Sequence, residues 1–272
     1  MTSPVTYTNP ELVQDTRLGC TVQLPLGFGP VPPSRKKIFY FDIDNCLYQR
    51  STKIHDLMQL KIHDYFKTHL ELDDKDAHAL HMNYYQTYGL ALEGLVRNHK
   101  VDALKYNEQV DDSLDLKSVL SYNQELRNML IRIKKTHQFD CFWLLTNAYK
   151  NHALRVVSFL GIGDLFDGLT YCDYSESPIV CKPMKLYFDK CLSITGVDNN
   201  DLDLVYFVDD SEINVKAALK LGWGRVFHFI EIDADYERIL QSDDFGEYYS
   251  QDNSDGRKIT ILRNILELES AL

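Results

Sequence analysis

Residues 37–48 read KIFYFDIDNCLY, a short apolar and aromatic run that ends in two aspartates. A continuous run of this kind predicts a buried β-strand. Asp42 and Asp44 follow it directly, where the strand ends and the chain turns away. We therefore expect a core strand with acidic groups at its carboxyl end.

Beyond residue 135, short apolar runs alternate with amphipathic segments. We predict strands at 141–146, 168–171, 204–208 and 225–229, and helices at 152–160, 184–194, 212–221 and 259–268. Strands that alternate with helices of this length form βαβ units with right-handed crossovers. The expected fold class is therefore α/β, with a doubly wound open parallel sheet.

Between the first two strands, from about residue 53 to residue 135, apolar residues recur at helical spacing and no clear strand interrupts them. This pattern predicts a helical cap inserted after the first core strand. Proline and glycine punctuate residues 25–33, which favours an N-terminal arm. The predicted organisation is an arm at 1–36, a catalytic core at 37–50 and 136–272, and a cap at 51–135.

The chain of 272 residues is acidic, with 29 Lys plus Arg, 40 Asp plus Glu and a net charge of −11. This balance argues against binding a nucleic-acid polymer or an anionic membrane, because both attract clustered basic residues. No apolar run approaches the roughly 20 residues of a membrane span, and no secretory signal is evident. We expect no membrane insertion and a cytoplasmic location, with a nuclear pool compatible with the chain's size. The sequence indicates no particular oligomeric state.

Polar residues follow three of the predicted strands, where ligands bind in open parallel sheets. They are Asp42 and Asp44 after the first, Thr146 and Asn147 after the second, and Asp209 and Asp210 after the strand at 204–208, with Lys182 in a loop before a helix. A single aspartate there is commonly a turn former. Four converging carboxylates, however, would repel one another without a cation, and oxygen ligands favour Mg²⁺.

This set of residues suits phosphoryl chemistry. Asp42 is placed to attack phosphorus and form an aspartyl phosphate, and Asp44 to protonate the leaving oxygen and then activate water. Thr146 and Asn147 are candidates to hold phosphate oxygens at a helix start, and Lys182 supplies positive charge to the phosphoryl group. The predicted partner is a small phosphorylated substrate.

Four segments in this order, FDIDNCLY, LLTNA, VCKP and VDDS, resemble the four motifs of the haloacid dehalogenase (HAD) superfamily. The resemblance covers about residues 37–230 and implies a HAD-like Rossmannoid core with a C1-type cap. Cys46 stands where Thr or Ser is common. The resemblance also implies Mg²⁺ ligation by Asp42, by the main-chain carbonyl of Asp44 and by Asp210, with Asp209 holding a metal-bound water.

The segments TNAYKNHA and FDGLTYCDY, together with cap segments such as Tyr84-Tyr85, resemble fungal pyrimidine 5′-nucleotidases. That resemblance implies release of phosphate from UMP- or CMP-like nucleoside monophosphates. Related fungal members act on other phosphomonoesters, including lysophosphatidic acid, so that compound or a sugar phosphate is the alternative substrate. A phosphomutase, a dehalogenase and a non-catalytic phospho-ligand-binding protein are further alternatives. A dehalogenase would need neither Asp44 nor Mg²⁺.

Cap residues are the candidates for recognising the leaving group. Tyr84, Tyr85 and Tyr88 are candidates to stack on a pyrimidine, with Tyr88 as the choice for substrate binding, although tyrosines at helical spacing commonly pack between helices. Asp111 and Asp112 either contact a ribose or base, or end a helix; the second interpretation is favoured.

Overall fold

The structure is a computed structural model that describes residues 22, 24–28, 32–250 and 257–272. Within these residues six strands form one parallel sheet: β1 (Ile38–Phe41), β2 (Cys141–Leu145), β3 (Gly168–Thr170), β4 (Val205–Asp209), β5 (Arg225–Phe229) and β6 (Thr260–Leu262). Their order across the sheet is β3-β2-β1-β4-β5-β6. The first strand therefore lies in the middle, with Ile38 level with Cys141 on one side and Val205 on the other.

Helices account for most of the rest of the described chain. They are α1 (Ile54–Leu70), α2 (Asp74–Tyr88), α3 (Ala91–His99), α4 (Ala103–Gln109), α5 (Leu116–Val119), α6 (Gln124–Thr136), α7 (Lys150–Leu160), α8 (Lys185–Thr195), α9 (Glu212–Lys220), α10 (Asp233–Leu240), α11 (Phe245–Tyr248) and α12 (Leu268–Ala271). None of these described helices combines the length and the apolar character of a membrane span.

Both faces of the sheet are covered, because successive side chains of a strand point to opposite sides. Phe39 and Phe41 belong to a buried cluster that includes the apolar faces of α6 and α7. Ile38 and Tyr40 belong to a second cluster with α8 and α9. The doubly wound parallel α/β sheet is therefore confirmed.

Helices α1 to α4 lie between β1 and β2 in the chain and share a buried cluster of their own, whereas α5 and α6 of the same stretch belong to the cluster that covers the sheet. Phe66, Leu92 and Leu95 of these helices pack with Tyr174 and Ile179, which lie in the loop after β3. The helical insert therefore packs against a loop that leaves the carboxyl end of a core strand.

The described part of the N-terminal segment packs on the sheet beside β3. Leu24 is buried in the core, and Leu169 donates its backbone N–H to the carbonyl of Pro25. A Cβ at Gly168 would lie 2.7 Å from that carbonyl oxygen, so the absence of a side chain permits the approach. Residues 1–21 and 251–256 lie outside the described residues.

The predicted helix at 259–268 is wrong. Thr260–Leu262 form β6, which pairs in parallel with β5, and the chain continues through a 3₁₀ turn at Ile265–Glu267. Short apolar runs do not distinguish a strand from a helix, and here the open edge of β5 offers backbone partners. Helices α10, α11 and α12 were not predicted, whereas the remaining core strands and helices differ from the prediction by at most two residues at each end.

Candidate active site

A cavity of about 600 Å³ lies between the helical insert and the carboxyl ends of the strands. It is bordered by all seven core residues singled out in the sequence: Asp42, Asp44, Thr146, Asn147, Lys182, Asp209 and Asp210. The sheet order explains the convergence, since β2, β1 and β4 are adjacent and parallel and so end at one edge.

Lys182 lies at the centre of this edge and is almost fully buried. Its Nζ donates to Oδ1 of Asp42 at 2.6 Å, to Oδ2 of Asp209 at 2.6 Å and to the carbonyl of Leu145 at 2.7 Å. Burial alone would lower the pKa of Lys182, but the charges of Asp209 and Asp42 outweigh it and raise the pKa. The side chain is therefore a fixed positive charge that joins the ends of three strands.

Asp42 follows β1, and its backbone N–H is bonded to the carbonyl of Val208 at 2.9 Å. Burial, opposed by Lys182 and reinforced by Asp209 and Asp210, raises the pKa of Asp42 well above its usual range. A further cation beside these acids would favour the ionised carboxylate, which is the form that can act as a nucleophile.

Carboxylate oxygens of Asp42, Asp209 and Asp210 lie within 4.8 Å of one another. A set of hard oxygen donors at this spacing fits Mg²⁺. The oxygens of Asp209 are already engaged, since they accept from Lys182, from the backbone of Ser211 and from Asn214. Burial and the charge of Asp209 raise the pKa of Asp210 to about 8. The fit therefore rests mainly on Asp42 and Asp210.

The carboxylate of Asp44 points away from this acidic group. Its Oδ1 lies 2.6 Å from Nε2 of His152 and accepts from the hydroxyl of Tyr48 at 2.6 Å. Burial alone would raise the pKa of Asp44, but His152 and Tyr48 outweigh it and lower the pKa. The two motif aspartates therefore have different surroundings, so any metal contact from Asp44 would come through its main chain.

His152 was not singled out in the sequence, although it belongs to the segment TNAYKNHA. It is fully buried on α7, and burial, which lowers its pKa, is outweighed by Asp44, so the pKa is raised. The only sequence signal was a histidine five residues after Asn147. Its contact with Asp44 depends on where α7 lies relative to β1.

Thr146 and Asn147 hold the loops of the site. Thr146 accepts the N–H of Ala148 on its hydroxyl at 3.0 Å. The Asn147 amide accepts from the N–H of Lys182 at 2.7 Å and donates to the carbonyl of Lys182 at 2.8 Å. The observed contacts of Asn147 therefore orient Lys182, and contact with phosphate oxygens remains a prediction for both residues.

Helix α2 places Tyr85, rather than Tyr88, at the cavity. Tyr85 borders the cavity and is half exposed. Tyr88 is not among the described residues that border it, and its ring lies against Tyr84 and 5.3 Å from the Arg97 guanidinium. The geometry therefore favours packing as the role of Tyr88.

Comparison with known proteins matches residues 36–222 to the model of the haloacid dehalogenase-like hydrolases. "Phosphate metabolism protein 8" of Saccharomyces cerevisiae is 42% identical over 245 residues, which is 88% of this chain and 73% of that protein.

Two solved structures share the fold at low sequence identity. CbbY from Rhodobacter sphaeroides in complex with xylulose-(1,5)bisphosphate aligns with a TM-score of 0.56 at 13% identity, over 86% of this chain and 96% of that one. The HAD-hydrolase YfnB from Bacillus subtilis bound to magnesium aligns with a TM-score of 0.53 at 12% identity, over 87% and 98%.

Proposed function

Because this chain belongs to the haloacid dehalogenase-like hydrolases, we propose that it is a Mg²⁺-dependent phosphomonoester hydrolase that acts through an aspartyl phosphate on Asp42. The observation that carries the proposal is the separation of two acids in one cavity. Asp42 lies beside Lys182, Asp209 and Asp210, whereas Asp44 is turned toward His152. This separation supports attack by Asp42 and proton transfer by Asp44.

In the first half-reaction, an oxygen of Asp42 attacks phosphorus and the ester P–O bond breaks, while Asp44 passes to the leaving alcohol oxygen a proton that it receives from its hydrogen-bond partner His152. In the second, Asp44 takes a proton from water, which attacks the phosphorus and releases Asp42. Lys182 offsets negative charge on the phosphoryl group throughout. A bound Mg²⁺, held by Asp42 and Asp210 and supported by Asp209, would screen the phosphate from the acids.

Asp44 favours this chemistry over dehalogenation. A dehalogenase needs only the attacking carboxylate, whereas this chain holds a second acid in the same cavity with two hydrogen bonds of 2.6 Å. A metal-dependent phosphatase uses both acids.

For the substrate, we propose a pyrimidine nucleoside monophosphate such as UMP or CMP, with a sugar phosphate or lysophosphatidic acid as the alternative. The resemblance of TNAYKNHA and FDGLTYCDY to fungal pyrimidine 5′-nucleotidases supports this choice, and the yeast relative's name refers to phosphate metabolism. We further propose that a cap within residues 51–135 covers the core formed by 37–50 and 136–272. Helix α6, at the end of that range, packs on the sheet and so belongs with the core.

The test is phosphate release from UMP, CMP, AMP, ribose 5-phosphate, lysophosphatidic acid and p-nitrophenyl phosphate, each with Mg²⁺ and with a chelator. We expect hydrolysis that needs Mg²⁺ and is fastest for the pyrimidine nucleotides. Full rates with the chelator would contradict the metal requirement. Chloride release from 2-chloropropionate without any phosphate release would contradict the phosphatase assignment.

A further inference from the structure

Asp111 lies in the turn after α4, borders the cavity and is only 4% exposed. Its carboxylate accepts a long hydrogen bond of 3.4 Å from the hydroxyl of Tyr174, the one such bond to it among the described residues. The main chain of this turn is held by Arg155, which donates to the carbonyls of Asp111 and Leu114. The turn is thus fixed while a nearly buried carboxylate faces the cavity.

Tyr106 borders the same cavity and is 3% exposed. Its hydroxyl has no hydrogen-bond partner among the described residues. Burial and the nearby Asp111 raise the pKa of Tyr106 well above its usual range, so the phenol keeps its proton. Both residues border the cavity, so the two groups together offer an acceptor and a donor to its occupant.

The neighbouring aspartate differs. Oδ2 of Asp112 accepts from the amides of Asn107 at 3.0 Å and Asn151 at 2.9 Å, and Asp112 is not among the described residues that border the cavity. Oδ2 of Asp112 therefore fastens the turn, while its Oδ1 is buried without a partner away from the cavity. Asp111 is the aspartate of this pair that borders the cavity.

The position of Asp111 relative to His152 and Asp44 limits which part of a substrate can contact it. Asp111 acts electrostatically on His152, whose Nε2 contacts Asp44 at 2.6 Å. Asp111 and Asp44 therefore border one cavity, and both lie within electrostatic reach of His152. The part of a substrate that reaches it consists of the first carbons of the alcohol, rather than a distant base or chain.

We propose that Asp111 and Tyr106 form a subsite for hydroxyl groups carried on carbons close to the ester oxygen, so that the enzyme prefers phosphate esters of polyols. This inference rests on the phosphatase function proposed above. The hydroxyls can belong to a nucleotide ribose or to a free sugar phosphate, since both present the same donors and acceptors.

The experiment compares kcat/KM for two pairs of esters. The first pair is UMP and its 2′,3′-dideoxy counterpart, which both carry the base. The second pair is ribose 5-phosphate and tetrahydrofurfuryl phosphate, which both lack a base. In each pair the first ester carries ring hydroxyls and the second does not. The wild type should prefer the hydroxylated ester in each pair. Asp111→Ala should reduce that preference by at least about tenfold, and Tyr106→Phe by a smaller factor, while rates on the esters without hydroxyls change little.

Two features of the design separate recognition from folding. Tyr106→Phe removes no hydrogen bond found among the described residues, so this variant should fold normally. Asp112→Asn, the matched control next to Asp111, should leave the preference unchanged. A preference confined to the base-bearing pair would overturn the inference, as would an unchanged preference in both Asp111→Ala and Tyr106→Phe. If the wild type hydrolysed none of the four esters, the phosphatase function would fail and the inference with it.

Discussion

The Nε2 atom of His152 lies 2.6 Å from Oδ1 of Asp44, and the hydroxyl of Tyr48 donates to the same oxygen at 2.6 Å. Two side chains from different parts of the chain thus set the orientation of the acid proposed to serve the leaving group. Asp42, two residues earlier, is held instead by Lys182.

We predict that His152→Leu slows hydrolysis of UMP by about 10–100-fold more than hydrolysis of p-nitrophenyl phosphate. An alkoxide needs a proton to leave, whereas p-nitrophenolate leaves without one, so misplacing Asp44 harms the nucleotide reaction more. His152→Gln, which keeps an N–H donor, should restore part of the difference. Equal losses on both substrates would show that His152 serves only the fold.

We expect Asp42→Asn to reduce phosphate release by at least about a thousandfold, because an amide is a far poorer nucleophile than a carboxylate. Thermal unfolding should show a folded protein. Asp189→Asn is the control, since Asp189 is exposed on α8 and pairs only with Lys185 among the described residues. Substantial turnover by folded Asp42→Asn would move the nucleophile elsewhere.

Asp210→Asn should stabilise the metal-free protein. The pKa of Asp210 is raised from 3.8 to about 8 by burial and by Asp209. Since the folded-state pKa is the higher one, ionisation of Asp210 opposes folding increasingly as the pH rises from 3.8 through 8. We predict a Tm about 2–6 °C above wild type at pH 8 in chelator, and a smaller gain at pH 5.

The same variant tests the metal site. Mg²⁺ should raise the Tm of the wild type, because a ligand that binds only the folded state stabilises it, and should have little effect on Asp210→Asn. Asp209→Asn is the contrasting variant. It weakens the buried pair with Lys182, so its Tm should fall in chelator. An equal Mg²⁺ response in wild type and Asp210→Asn would remove Asp210 from the ligands.

We expect the preference for a nucleotide over p-nitrophenyl phosphate to depend on Tyr85. Tyr85→Ala is expected to lower kcat/KM for UMP relative to p-nitrophenyl phosphate by about tenfold, as for loss of an aromatic–base contact. Tyr88→Ala should lower the Tm and leave the ratio unchanged, because its ring packs on Tyr84 and Arg97. If only Tyr88→Ala changed the ratio of kcat/KM for UMP to that for p-nitrophenyl phosphate, Tyr88 would be the residue that contacts the base.

The residues at the strand ends of the site were predictable because each is marked by the sequence immediately before it. Asp42, Thr146 and Asp209 each come at or just after the end of an apolar run, and parallel pairing brings such ends to one edge. The sequence could not decide the roles of His152 and Asp111, since their surroundings depend on how α7 and the turn after α4 pack. Tyr85 and Tyr88 are three residues apart on one helix, so the side that faces the cavity depends on the rotation of α2.

The central position of β1 also has a consequence for biosynthesis. Its two neighbours in the sheet lie far along the chain, and Asp42 and Lys182 are 140 residues apart. Translation at roughly 5–20 residues per second means that about 10–30 s pass between synthesis of β1 and of β4. During that time the strand Ile38–Phe41, which is buried in the folded protein, lacks at least one of its two neighbours in the sheet. A nascent chain that ends before residue 205 would therefore leave one side of this strand unpaired and open to association with another chain.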